Sequence, residues 1–193
     1  YYDALTGSLN LEGFRRESGR LFSESAPQEY SLWYCDIKNF KYINDLFGFH
    51  TGNLILKYWA SCLKDSCRED EAFCRISDDN FAFLWRLDEQ DRLRERFNGL
   101  ADRLASFGPF EEKNYQVELI SGVYIPENPC GMDIDEMLNR ANMARKSIVS
   151  PRGSRILFFT EELRKKALAG IEMEAEMRSA LDKEELSFIF SRR

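Results

Sequence analysis

The chain has a single histidine, His50, and five cysteines (Cys35, Cys62, Cys67, Cys74 and Cys130) with no C-x-x-C pair among them. Chemistry that needs a histidine cluster is therefore excluded. An odd set of thiols reads as a reduced, cytoplasmic protein rather than a disulfide frame. Cysteines inside apolar runs read as small buried hydrophobes. No run approaches the ~18 apolar residues of a membrane span, and no signal peptide opens the chain. This segment is thus expected to make no membrane contact, even if the parent protein is tethered to one. Positive charge is also short: 27 Lys and Arg against 33 Asp and Glu give a net charge of −6. Such a domain has no general affinity for nucleic acid, and a phosphate ligand needs a local cationic pocket or a metal.

What the chain does have is core. Hydrophobic content of 44% with fifteen Phe in 193 residues suits one α/β-type domain with an appendage. Asn10 is placed to cap a helix carrying Leu11, Phe14, Leu21 and Phe22 at helical spacing. Tyr30–Ile37 reads as a buried strand, residues 39–47 as a short helix, and Thr51 as the opening of a longer one. Phe73–Ile76 and Phe81–Trp85 are strands joined by the turn formers Ser77-Asp78-Asp79-Asn80, a hairpin signal. A helix over 88–106, a strand near 115–125, a helix after Asp133 and a strand near 155–159 complete the pattern. The order predicts an α+β fold, with helices packed on one sheet. Residues 161–182 predict a connector helix, with Leu163, Ala167, Ile171 and Ala175 every four residues among Glu, Lys and Arg.

Asp36 ends one strand and Asp79 sits in the tip of the next hairpin. Across adjacent strands they form a two-carboxylate cradle of the kind magnesium takes, although solvated acids are the plainer reading of so short a pattern. Around them stand Asp36-Ile37-Lys38-Asn39-Phe40-Lys41, Ile43-Asn44-Asp45, Phe47-Gly48 and Gly52-Asn53. Further motifs are Asp3-Ala4-Leu5-Thr6-Gly7, Arg75-Ile76-Ser77-Asp78-Asp79-Asn80-Phe81, Ser121-Gly122-Val123 and Arg140-Ala141-Asn142-Met143-Ala144. Together, in this order, they resemble the GGDEF domains of the diguanylate cyclase family over about residues 3–160.

The resemblance implies a palm-like domain at 1–160 with a mainly antiparallel sheet flanked by helices. Active members condense two GTP molecules into cyclic di-GMP between two protomers, using magnesium or manganese. By position, Asp36, Asp79 and the carbonyl of Ile37 correspond to the metal ligands, and Asp79 is the catalytic candidate. Asn44 and Asn53 correspond to the guanine readers, and Lys41 to a phosphate lysine. Arg68 and Glu71 align with an inhibitory site, R-x-x-D, although Glu stands for Asp and a solvated charge run after a helix is the favoured reading.

Departures from the family pattern fall on the same surface. Ser77-Asp78 replace Gly-Gly, Asn80 replaces Glu, Asn53 replaces Asp, and Val149 stands where the last-helix lysine is expected, with Lys146 or Arg152 as substitutes. Residues 161–193 resemble a connector helix and the opening of an EAL domain, the cyclic di-GMP phosphodiesterase family, through Ile171-Glu172 and Glu185–Phe190. The implied reading is a degenerate, catalytically impaired, GTP-sensing module in bacterial cyclic di-GMP signalling that regulates a downstream EAL domain. An active cyclase and a dimerisation scaffold without nucleotide are the alternatives.

Overall fold

Asn10 opens the first helix as its side chain predicts. Its Oδ1 accepts the N–H of Gly13 at 2.8 Å, capping α1 (Leu11–Glu24), which buries Phe14 and Leu21. The computed structural model describes residues 1–126, 133–149, 153 and 155–190; Cys130, Arg152 and residues 191–193 lie outside them. A 3₁₀ turn at Pro27–Glu29 leads into β1 (Tyr30–Ile37), whose nearly continuous burial follows from a central place in the sheet. Two helices follow, α2 (Phe40–Phe47) and α3 (Phe49–Ser66). The second begins at Phe49 rather than Thr51, directly after the turn at Gly48.

The remaining elements are β2 (Ala72–Ser77), β3 (Asn80–Arg86), α4 (Gln90–Ala105), α5 (Gly108–Glu112), β4 (Leu119–Tyr124), α6 (Ile134–Lys146), β5 (Arg155–Phe158) and α7 (Glu161–Phe190). Helix α5 is too short to carry a periodic signal. It is held by Phe110, fully buried, with its ring 5.6 Å from those of both Phe47 and Tyr115. The strand expected from residue 115 starts at Leu119, because Asn114 turns the chain with a φ of 50°.

The sheet order is β2-β3-β1-β4-β5. All neighbours are antiparallel except β4 and β5, which α6 joins as a parallel crossover. Alternate residues of each strand feed opposite faces. Trp33, Phe81, Phe83 and Trp85 pack with Phe97 of α4 and Trp59 of α3. Leu32, Cys74, Ala82 and Leu84 meet Phe14 of α1 and Met137 of α6. The Trp33 ring lies 5.5 Å from Phe83, 5.0 Å from Trp85 and 5.3 Å from Phe97. Each side chain buried this completely contributes roughly 1.5–3 kcal/mol, so this cluster anchors the sheet to α4.

The chain divides into two compact units, Tyr1–Phe159 and Thr160–Arg193. The second is built on α7, which continues past residue 182 to Phe190. No helix among the described residues is long and apolar enough to cross a membrane.

Candidate functional site

Two strand ends and one turn build the site. The last ladder pair between β1 and β3 is Cys35↔Phe81, so the turn before β3 lies beside Asp36 and Ile37. Ser77 pairs with Asn80, leaving Asp78 and Asp79 as a two-residue turn where the sequence suggested four. Asp78 takes a φ of 46°, the left-handed region that glycine occupies without strain. Arg75 fixes the turn from below. Its Nε donates to the Asp78 carbonyl at 2.8 Å, and another guanidinium nitrogen donates to both Asp3 oxygens at 3.1 and 3.2 Å. Asp3 also accepts from the Thr6 N–H and hydroxyl at 2.8 and 2.7 Å, closing the Asp3–Gly7 loop. Burial alone would raise the Asp3 pKa, but these bonds from Thr6 and Arg75 bring it below the usual value. The N-terminal loop and the hairpin are thus clipped together by one arginine.

The two candidate metal ligands share one electrostatic environment. Burial raises the pKa of Asp79, the nearby Asp36 charge raises it further, and backbone N–H groups of Asp79 and Ile37 oppose the rise. Burial likewise raises Asp36, against the attraction of Arg145. Arg145 of α6 donates to Asp36 Oδ2, and Asp36 Oδ1 is buried with no hydrogen-bond partner among the described residues. Two carboxylates, the Ile37 carbonyl nearby and an unsatisfied buried oxygen are donors of the hard type that magnesium and manganese accept. The donor chemistry fits such an ion, with one Asp36 oxygen already engaged.

The guanine candidates lie on α2 and α3. Gly52 permits their approach: a Cβ there would stand 1.8 Å from Asn44 Oδ1. The Asn44 side chain therefore rests on the start of α3, next to the exposed Asn53. Lys41 is exposed on α2. Lys38 is drawn away from this face into a 2.5 Å ion pair with Glu118. Val149, in the place of the expected lysine, is 92% exposed, and the substitute Lys146 is exposed as well.

Arg68 and Glu71 are arranged differently from one another. The Arg68 side chain is exposed, whereas the Glu71 carboxylate is fully buried. Glu71 accepts two bonds from Arg96 at 2.7 and 2.6 Å and the backbone N–H groups of Arg86 and Arg68 at 3.0 Å each. Asp70, beside it, pairs with Arg86 at 2.5 Å.

No sequence motif marks Arg145. It follows Ala141 by one helical turn, so it shares the α6 face that meets the sheet, and that spacing was the available signal.

The sequence profile of the family described as "Diguanylate cyclase, GGDEF domain" matches residues 1–149. The cyclic di-GMP phosphodiesterase NbdA of Pseudomonas aeruginosa is 24% identical over 191 residues, covering 96% of this chain and 24% of that protein. The chain spans about a quarter of the length of the curated relatives that match it nearly end to end. The GGDEF domain of DgcB from Caulobacter crescentus, solved in complex with c-di-GMP, superposes with a TM-score of 0.68 at 20% identity, covering 81% of this chain and 94% of that one. The S helix-GGDEF-EAL structure of Vibrio cholerae LapD, bound to c-di-GMP, gives 0.64 at 16% identity over 91% of this chain and 43% of that one. The α+β sheet flanked by helices is the fold these structures share, and the chain belongs to the GGDEF domain family of cyclic di-GMP signalling.

Proposed function

We propose that this domain is a catalytically impaired GGDEF module that binds GTP and reports its presence to a downstream EAL phosphodiesterase domain. The observation that supports the reading is the seating of Asn44 on the start of α3 at Gly52, on a surface where the hairpin turn departs from the family pattern. Asn44 rests on Gly52 beside Asn53, with Lys41 on the same helix as Asn44, which provides donors and acceptors for guanine and a cation for phosphate. Asn53 offers one amide oxygen in place of a carboxylate, so the guanine contact is weak. Asp36, Asp79 and the Ile37 carbonyl would hold a magnesium or manganese ion, which neutralises phosphate charge when bound.

Catalysis is impaired because several preorganised contacts are changed together. Asp78 adds an exposed negative charge in the hairpin turn, beside the place of a polyanion. Val149 supplies no cation where the family places a lysine. One well-placed electrostatic contact is worth ~10²–10³-fold in rate, and such losses combine. With GTP and magnesium the chain is expected to accumulate no cyclic di-GMP by chromatography over hours. Steady product formation that disappears in both Asp36→Asn and Asp79→Asn would overturn the reading in favour of an active cyclase.

The downstream partner is supported by the sequence of residues 171–190 and by the match of NbdA, a named phosphodiesterase, across most of the chain. Cyclic di-GMP is an alternative occupant, since the DgcB GGDEF domain was solved with it. A homodimer is the arrangement active relatives need for turnover.

A further inference from the structure

We propose that Arg145 is a built-in counter-ion that takes the cation position at Asp36 and thereby weakens the domain's grip on divalent metal. The inference rests on reading Asp36 and Asp79 as the metal cradle, and deepens it. Its origin lies in a close crossing of helix and sheet. Gly122 of β4 has no side chain, and a Cβ there would lie 1.9 Å from the Ala141 carbonyl oxygen and 2.3 Å from the Arg145 nitrogen. The backbone of α6 therefore sits directly on the strand. Gly122 is paired with Tyr34, and Ile120 with Asp36, so the crossing delivers Arg145 to the end of β1.

The guanidinium is held at three points. Its Nε donates to Asn142 Oδ1 at 2.9 Å, its plane carbon stands 5.3 Å from the Tyr34 ring centroid, and a terminal nitrogen donates to Asp36 Oδ2. Both members of the pair are mostly withdrawn from solvent, at 17% and 18% exposure. An arginine fixed in this way differs from a mobile surface cation, whose ion pairs are worth little.

The electrostatic consequence is direct. A divalent ion on Asp36 has a like charge against it unless the guanidinium swings away, and that departure gives up a charge-assisted bond in a partly buried site. Of the two Asp36 oxygens, Oδ1 alone is left for an ion that does not displace Arg145. With Arg145 in place, the Asp36 carboxylate has a fixed counter-ion without metal. A purely structural role, such as complementing the negative C-terminal end of α6, gives Arg145 no influence on metal affinity.

The test is a manganese titration of the complete chain without nucleotide, following the free-ion signal by electron paramagnetic resonance, with folding checked by circular dichroism. Arg145→Met is expected to bind Mn²⁺ at least ~10-fold more tightly than the parent chain, equivalent to about 1.4 kcal/mol. Adding Asp36→Asn should abolish the gain. Arg145→Lys, which keeps the charge without the fork, should give a smaller gain. Equal or weaker manganese binding by a folded Arg145→Met overturns the proposal. If that variant does not fold, equality between Arg145→Lys and the parent overturns it. Because no nucleotide is present, a failure to bind GTP leaves this result standing, and the reverse also holds.

Discussion

Asp78 is strained where a glycine would be at ease. Its φ of 46° places a branched acidic side chain in the left-handed region, a position that costs ~1–2 kcal/mol for most L-residues and somewhat less for Asp. Its charge also acts on Asp79, which already feels that of Asp36 at the end of β1. Asp78→Gly relieves both, while glycine's larger unfolded-state entropy takes back part of the gain. The net expectation is a stabilisation of about 0.5–1 kcal/mol in urea unfolding. A loss of stability would show that the Asp78 side chain makes a compensating contact. Its turn role was legible in the sequence, since Asp favours turns, but the sign of its φ was not. That depends on the strands pairing up to Ser77 and Asn80, one residue further on each strand than the apolar runs suggested.

At the scale of elements, the strands and long helices were readable because apolar runs and helical spacing coincide with them. The Tyr30–Ile37 boundaries match because both ends are marked by a change in polarity. The order of the motifs also placed Asp36 and Asp79 at neighbouring strand ends. What could not be read was how elements cross. The approach of α6 to β4 at Gly122 turns Arg145 from a surface residue into the partner of Asp36. The same holds for Glu71, which the charge run around it disguises as solvated. It ties the end of α3, the start of β2, the end of β3 and the middle of α4 through Arg68, Arg86 and Arg96. Arg96 in turn stands 4.1 Å over the Trp85 ring. Removing the carboxylate leaves Arg96 with only the Ser66 carbonyl as an acceptor among the described residues and leaves two backbone donors without theirs. Glu71→Ala is therefore expected to lower unfolding stability by roughly 3 kcal/mol. A change below ~1 kcal/mol would mean that water replaces the carboxylate readily, as at an exposed pair.

At the level of the whole chain, the proposed nucleotide face lies within Tyr1–Phe159, while α7 belongs to the separate Thr160–Arg193 unit. Leu168, Met173 and Met177 are exposed on that helix. A sensing domain influences its neighbour only through contacts that differ between two states. In the parent protein, GTP is accordingly expected to change the rate of cyclic di-GMP hydrolysis, and Ile171→Asp to remove that response with both domains still folded. A rate independent of GTP at concentrations that saturate the domain would favour a scaffold over a sensor.

Guanine recognition without catalysis is decided by a calorimetric GTP titration of the chain with magnesium. The wild-type chain is predicted to bind saturably but weakly. Asn53→Asp, which restores a charged acceptor for guanine's two N–H donors, is predicted to bind about 10-fold or more tightly, since a charged hydrogen bond contributes ~1.5–3 kcal/mol. No binding by either protein, or equal affinity in both, would show that guanine is not read at Asn53.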